Sequence, residues 1–177
     1  MKDKLLQVFP EFELIKDNGL KEKTLAVWVE AIKLGGWQVE DLDKIPFTLL
    51  IPGTDVSLLQ HIRAVTQTAI QSAQVFGQFY RKNYSLNMDY IVIGGLLHDV
   101  GKVMEYKRDG DKFIKSDYGK LLRHPFSGAG LAIKHGLPEV IPHIIATHAK
   151  EGDGGYRCPE SVIVHYADFM NFEPLKK

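Results

Sequence analysis

The feature that most constrains this fold is an apolar run that ends in two ionisable residues. Between Tyr90 and Leu97 the chain reads YIVIGGLL, and His98 and Asp99 follow directly. The run predicts a helix from about Met88 to His98 that is buried on most of its surface. An ionised carboxylate without a partner is too costly to bury, so a metal ion, a paired cation or solvent must lie beside Asp99. The rest of the chain has to supply that partner.

Helical periodicity dominates the remaining sequence and predicts an all-α fold. Beyond the helix that ends at His98, helices are predicted at about 20–36, 57–84, 124–135, 138–148 and 160–171. Gly35 and Gly36 are typical of a left-handed helix end. Residues 37–56 contain prolines and a Pro-Gly pair and are predicted to be a connector. Residues 105–120 are polar and predict a loop or a short hairpin around Asp109 and Gly110.

Composition excludes several classes of function. The 177 residues include 22 Lys and Arg and 22 Asp and Glu, so no global charge attracts nucleic acid or an anionic membrane. The one cysteine, Cys158, cannot form an intrachain disulfide and agrees with a reducing compartment. The N-terminus has acidic residues where a signal peptide would need an apolar segment, and no run is long enough to span a membrane. We therefore expect a cytoplasmic protein.

Several ionisable side chains fall at helix ends or on apolar helix faces. They are His61, His98, Asp99, His124, His148 and Asp168. Any one of these histidines, taken alone, is better explained as a hydrogen-bonded imidazole in the core or on the surface. Adjacent helical residues point about 100° apart. His98 and Asp99 can therefore share one ion only if the helix loosens there, and Gly101 permits this.

The order of these residues, together with the string LLHDVGK, resembles the HD superfamily of metal-dependent phosphohydrolases. The resemblance spans about residues 54–170 and implies an HD-domain helical bundle at 54–177. Residues 1–53 are then expected to form a helical extension packed on that core. In the family the first histidine, the His-Asp pair and the last aspartate bind one ion, which implies the ligands His61, His98, Asp99 and Asp168. Members with a second ion add two histidines, which correspond to His124 and His148.

Two narrower resemblances compete within that superfamily. The segments GLLHDVGKVMEY, SDYGKLLRHPFSGA and PESVIVHYADFM are similar to the HD region of bacterial 3′-to-5′ exoribonucleases. Those enzymes usually carry an oligonucleotide-binding barrel ahead of this region. The strand pattern of such a barrel is missing here, so RNA is not favoured as a substrate. The segment HAKEGDGGY resembles the HD-GYP phosphodiesterases, but Ala149 and Arg157 depart from their signature, and we do not assign that activity.

The expected ligand set predicts a site for an anionic substrate. Two divalent ions bring +4 and the two aspartates remove 2, which leaves about +2 to meet a phosphate. A metal-activated water would then attack phosphorus. Asp99 is the expected bridge between the ions, and mixed imidazole and carboxylate ligands admit Mn, Fe, Ni, Co, Zn or Mg. Lys102 is the predicted catalytic and substrate-binding cation, as the family's lysine implies, and Arg123 is a second candidate for the substrate.

Three functions stay open at this point. The first is hydrolysis of a phosphate ester, such as a nucleotide or another small phosphorylated molecule. The second is oxygenase chemistry, because some HD proteins with a matching ligand set hold two irons and use O2. The third is a binding or signalling module without turnover, whose expected mark is the loss of ligands. All six ligand positions are filled here, which favours an enzyme.

Overall fold

Helices form most of the computed structural model, which describes residues 1–82 and 85–176. The α-helices are α1 (Lys2–Val8), α2 (Asn18–Gly35), α3 (Leu58–Tyr80), α4 (Met88–Leu97), α5 (Lys102–Glu105), α6 (Asp117–Leu121), α7 (His124–Lys134), α8 (Val140–Thr147) and α9 (Pro159–Met170). Short 3-10 helices occur at Pro10–Leu14, Val39–Asp43, Lys150–Gly152 and Glu173–Leu175. The predicted all-α class is confirmed.

In the described part of the chain, the strands form one small antiparallel hairpin. Strand β1 (Tyr106–Asp109) pairs with β2 (Lys112–Lys115), and the pairing joins Tyr106 to Lys115. This agrees with the hairpin predicted around Asp109 and Gly110. The sequence did not predict that helix α5 precedes the hairpin or that helix α6 follows it, because both are too short to show a period.

Helix α3 begins where its sequence provides a cap. The Ser57 hydroxyl accepts a hydrogen bond from the Gln60 backbone, and the Gln60 side chain accepts one from the Ser57 backbone. This reciprocal pair satisfies two amides that the first turn leaves unpaired. The predicted end of this helix, Tyr84, lies outside the described residues. The buried face of α3 carries His61 into the interior of the bundle.

Helix α4 is buried around its circumference, as the apolar run predicted. It packs against α3, α8 and α9. A methyl group added at Gly95 would come within 2.8 Å of the Thr66 backbone, so the two helices approach too closely for a larger residue. The indole of Trp28 on α2 donates to the carbonyl of Leu96 over 3.1 Å. These contacts fix the end of α4, where His98 follows.

The other predicted helix boundaries differ little from the structure. Helix α2 ends at Gly35, and Gly36 has a φ of 73°, the left-handed conformation that the glycine pair predicted. Helix α8 begins at Val140, two residues later than predicted, and Pro142 lies in its first turn. Proline is tolerated there because the amides of a first turn have no partner within the helix.

The N-terminal residues share the hydrophobic core of the bundle. Leu5, Phe9 and Phe12 are fully buried in the same cluster as the residues of α3 and α4. The rings of Phe9 and Trp28 lie 5.2 Å apart. The predicted division of the chain at residue 54 stays a prediction. Over the described part of the chain, the structure contains no helix that is both long and apolar enough to cross a membrane.

Candidate metal centre

His98 and Asp99 lie in the turn that joins α4 to α5, and both are almost completely buried. Gly101 matters in this turn because it lacks a side chain, more than because its backbone is flexible. A methyl group at Gly101 would come within 2.3 Å of the His124 carbonyl oxygen and within 2.6 Å of the Ser127 hydroxyl. Because Gly101 has no side chain, the first turn of α7 can pack directly against the turn that contains His98 and Asp99.

The carboxylate of Asp99 lies between two pairs of imidazoles. Its Oδ2 is 3.4 Å from Nε2 of His61 and 3.3 Å from Nε2 of His98. Its Oδ1 is 3.3 Å from Nε2 of His124 and 3.6 Å from Nε2 of His148. Each oxygen and its two imidazoles form a group whose ligand atoms lie within 4.8 Å of one another. Asp99 is the residue common to both groups.

Asp168 on α9 joins the first of these groups. Its Oδ1 is 3.0 Å from Nε2 of His61 and 3.9 Å from Nε2 of His98. The structure therefore brings together all six residues that the sequence singled out as ligands. They come from α3, the turn after α4, the start of α7, the end of α8, and α9.

Backbone carbonyls orient two of the imidazoles. Nδ1 of His98 donates to the carbonyl of Gly95, and Nδ1 of His148 donates to the carbonyl of Ile145, each over 2.7 Å. A carbonyl can only accept, so the proton belongs on Nδ1 in both rings. In the neutral form of each ring, the Nε2 atom is then unprotonated and faces the centre. Metal-binding histidines are usually held by such a bond from the other ring nitrogen.

Glu105, which was not among the site residues predicted from the sequence, orients the third imidazole. Its Oε2 accepts from Nδ1 of His124 over 2.7 Å and from the His124 backbone amide over 2.8 Å. Glu105 is 2% exposed. The available signal was a carboxylate in the largely apolar segment VMEY, six residues after Asp99. Its partner lies 19 residues away in the sequence, so the contact itself could not be read from periodicity.

Charge and burial determine the protonation of this pair. Burial disfavours the imidazolium of His124 and lowers its pKa to about 4, although the Glu105 and Asp99 carboxylates oppose this. Burial also works against the charged form of Glu105, but hydrogen bonds from His124 outweigh it and lower the pKa of the carboxyl to about 2. At neutral pH the imidazole is therefore neutral and Glu105 is ionised. A neutral imidazole is the form that coordinates metals.

The two aspartates are also ionised. Burial opposes the charge of Asp99, but the Lys102 ammonium keeps the pKa of the carboxyl well below its usual range. Burial likewise opposes the charge of Asp168, but the hydrogen bond from His61 lowers its pKa to about 2. The centre thus holds two carboxylates against one adjacent ammonium. This excess of negative charge, surrounded by imidazole nitrogens, fits divalent cations.

Lys102 contacts the centre directly. Its Nζ donates to Oδ2 of Asp99 and to the backbone carbonyl of Phe47, each over 2.6 Å. Burial would lower the pKa of this ammonium, but the Asp99 charge raises it above its usual value. Lys102 therefore lies beside the predicted ligands. Its predicted contact with a substrate stays a prediction.

Arg123 lies between two carboxylates at the edge of the same centre. Its Nε is 3.3 Å from Oε1 of Glu105, and its Nη2 is 3.4 Å from Oε1 of Glu151. Glu151 belongs to the loop that follows His148. The guanidinium therefore connects these elements, while its predicted contact with a substrate stays a prediction.

A cavity of about 250 Å³ opens onto the candidate centre. Five of the six predicted ligands line it, namely His61, Asp99, His124, His148 and Asp168. Its cationic lining residues are Lys102, Lys115, Arg123, Lys150 and Lys176. A small anion could enter this cavity and meet both the ligand groups and the surrounding cations.

Comparison of the sequence with known proteins identifies a family and several relatives of this chain. The profile of the HD domain family matches residues 58–170. A dihydroneopterin 2′,3′-cyclic phosphate phosphodiesterase of Methanocaldococcus jannaschii is 33% identical over 114 residues, which are 63% of this chain and 44% of that protein. A Ribonuclease Y of Pseudothermotoga lettingae is 30% identical over 115 residues, which are 65% of this chain and 18% of that protein.

A Ribonuclease Y of Thermotoga maritima is 31% identical over 107 residues, which are 60% of this chain and 18% of that protein. The matched segment thus spans less than half the length of each of these relatives. No solved structure matches the chain with significance. The matched part includes all six predicted ligands, and residues 1–57 lie ahead of the family match.

Proposed function

The chain belongs to the HD domain family, and we propose that it is a metal-dependent phosphohydrolase that cleaves a phosphate ester. The observation that carries this proposal is the position of Asp99, whose two oxygens each face a different pair of imidazoles. One carboxylate shared by two ligand groups is suited to two adjacent cations. The relatives named as phosphodiesterase and ribonuclease support the same reaction class.

We assign two divalent ions to the two groups. The first ion would be held by His61, His98, Asp99 and Asp168, and the second by Asp99, His124 and His148. When bound, such ions polarise phosphoryl oxygens and lower the pKa of water, so that water can act as the nucleophile. The donor set is compatible with Mn, Fe, Ni, Co, Zn or Mg.

Protein side chains would bind and orient the substrate phosphate. An ammonium has three N–H donors, and Lys102 uses two of them on Asp99 and Phe47. The third is available to a phosphate oxygen at the cavity wall. Arg123 is held at the same wall by Glu105 and Glu151. Its remaining guanidinium donors would bind a second phosphate oxygen.

The size of the cavity favours a small substrate. Its volume of about 250 Å³ lies at the small end for ligand pockets, which gives room for a phosphate and a group of modest size beside it. We therefore propose a small phosphorylated molecule, such as a nucleotide, and do not favour a polynucleotide. Because one relative is named for a 2′,3′-cyclic phosphate, cyclic diesters belong among the compounds to test.

The test combines metal analysis with a substrate panel. Protein purified without added metal is examined for bound elements, and its activity is then measured with Mn, Ni, Co or Mg on phosphate monoesters and cyclic diesters. We expect phosphate release or ring opening that depends on metal and is lost in Asp99→Ala. The Asp117→Ala variant, which removes an exposed carboxylate, is the matched control. Iron-dependent consumption of O2 without ester cleavage would replace the hydrolase with an oxygenase.

If the protein is a binding module without catalytic activity, the same experiment gives a different result. The metal-loaded protein would turn over neither a phosphoester nor an oxidisable compound, while it bound some phosphorylated ligand tightly. This result would overturn the proposed hydrolysis and leave the metal assignment to be judged by elemental analysis alone.

A further inference from the structure

A segment ahead of the HD-matched region contributes to the cavity at the centre. Residues 47–50 precede the start of the family match at residue 58. Thr48, Leu49 and Leu50 nevertheless line the cavity together with the predicted ligands. The connector predicted at residues 37–56 thus contributes to the wall of the candidate active site.

Phe47 anchors this segment to the centre on two sides. Its backbone carbonyl accepts the hydrogen bond from Lys102, and its fully buried ring lies 4.7 Å from the imidazole of His61. Its amide donates to the carbonyl of Val56 over 3.2 Å. The residues that follow Phe47 therefore start from a fixed point beside the ligands.

The part of the cavity wall that lies away from the predicted metal ligands is apolar. Leu49 and Leu50 line the cavity, and so do Phe169 and Phe172 from the end of α9 and the residues after it. The ring of Phe172 packs edge-on against Phe47, with 5.9 Å between the ring centroids. Leu50 is 77% exposed, so a ligand that covered it would remove apolar surface from water.

The local order of the segment supports a defined surface. The amide of Leu50 donates to the hydroxyl of Thr48 over 3.1 Å, and Thr48 is buried. A side chain that bonds the backbone two residues later makes a local turn. Leu50 thus lies at the cavity in a turn that begins at Thr48, next to the anchored Phe47.

We propose that residues 47–50 form a substrate-selecting wall that binds an uncharged apolar or aromatic group attached to the phosphate. The inference rests on the proposed function, because the phosphate itself must sit at the metal and cation side of the cavity. The HD-matched region would then bind the reacting group, and the preceding segment would help to choose the rest of the molecule.

Two phosphonates test this wall without any turnover. Phenylphosphonate and methylphosphonate carry the same anionic group, and their carbon–phosphorus bond leaves no ester to hydrolyse. Their affinities for the full chain loaded with Mn²⁺ are compared by calorimetry at a pH where both are dianions. We expect phenylphosphonate to bind about tenfold more tightly, as partial burial of a ring against apolar side chains implies.

The variant Leu50→Asn removes the apolar contact without adding charge. We expect it to abolish most of the preference for phenylphosphonate and to leave the affinity for methylphosphonate within about twofold of the wild-type value. The matched control is Leu121→Asn, since Leu121 is 91% exposed and does not line the cavity. It should retain the full preference.

The outcomes separate this inference from the proposed function. Equal affinities for the two phosphonates, or an unchanged preference in Leu50→Asn, would overturn the wall even if phosphoesters are hydrolysed. A clear preference that Leu50→Asn abolishes would support the wall even if no ester in the panel is cleaved. Binding of neither phosphonate would overturn the anion site and the wall together.

Discussion

Lys102 and Asp99 form a buried ion pair across the turn between α4 and α5, with 2.6 Å between Nζ and Oδ2. The same aspartate faces all four central imidazoles through its two oxygens. Lys102 also lines the cavity. One side chain therefore connects the shared candidate ligand with the space in which a substrate would lie. Substitution of Asp99 is therefore expected to affect metal binding, and substitution of Lys102 is expected to affect substrate binding.

Asp99→Ala should lower the metal content more than any other single substitution among the six predicted ligands. It removes the carboxylate common to both groups, so both ions should be lost. Elemental analysis of the folded variant measures this, with circular dichroism as the check on folding. Two ions per chain in Asp99→Ala would contradict the shared ligand.

His124→Ala and His148→Ala should each weaken the second ion and leave the first in place. Both imidazoles face Oδ1 of Asp99, while His61, His98 and Asp168 remain around the other group. We expect the stoichiometry to fall from two ions to one in titrations with Mn²⁺ or Zn²⁺. If either variant retains two ions, the assignment of the second group is wrong.

Glu105→Gln should weaken the second ion by about 10–100-fold, the range typical for the loss of a group that orients a ligand. The amide keeps the size of the side chain but not the charge that holds Nδ1 of His124. Titration calorimetry with the metal measures the change. Glu139→Gln alters an exposed carboxylate and is the matched control. Wild-type affinity for both ions in Glu105→Gln would remove Glu105 from the centre.

Lys102→Ala should reduce kcat/KM for a phosphate ester by about 10–100-fold, because a hydrogen bond to a charged group contributes roughly 1.5–3 kcal/mol. The metal content should stay at the wild-type level, since the six candidate ligands are intact. Lys120→Ala removes an exposed lysine and should change neither property. Unchanged kinetics in Lys102→Ala would exclude this lysine from substrate binding.

Gly101→Ala should destabilise the fold by about 1–3 kcal/mol, as expected for overpacking. The added methyl group would overlap the His124 carbonyl and the Ser127 hydroxyl. The free energy of unfolding in urea measures the loss. Gly130→Ala in α7 is the control, because a methyl group there meets no atom within 4 Å and alanine favours helix. Equal free energies of unfolding for the two variants would show that the turn accommodates the methyl group without loss of stability.

The sequence by itself determined the helices and the residue types of the candidate site. Periodicity predicted α2, α3, α4, α7 and α9 because each buries one face or, for α4, nearly its whole surface. The string LLHDVGK and the later histidines indicated the HD family, which the family match confirmed. The start of α8 was predicted two residues too early, and the short helices α5 and α6 had no periodic signal.

Only the tertiary structure decided how these residues meet. Periodicity tells which face of a helix is buried but not which face of another helix covers it. For this reason the division of four imidazoles between the two oxygens of Asp99 could not be derived from spacing. The contacts of Glu105 with His124 and of Phe47 with Lys102 join residues 19 and 55 positions apart. Their partners are chosen by the packing of whole helices, which no local pattern records.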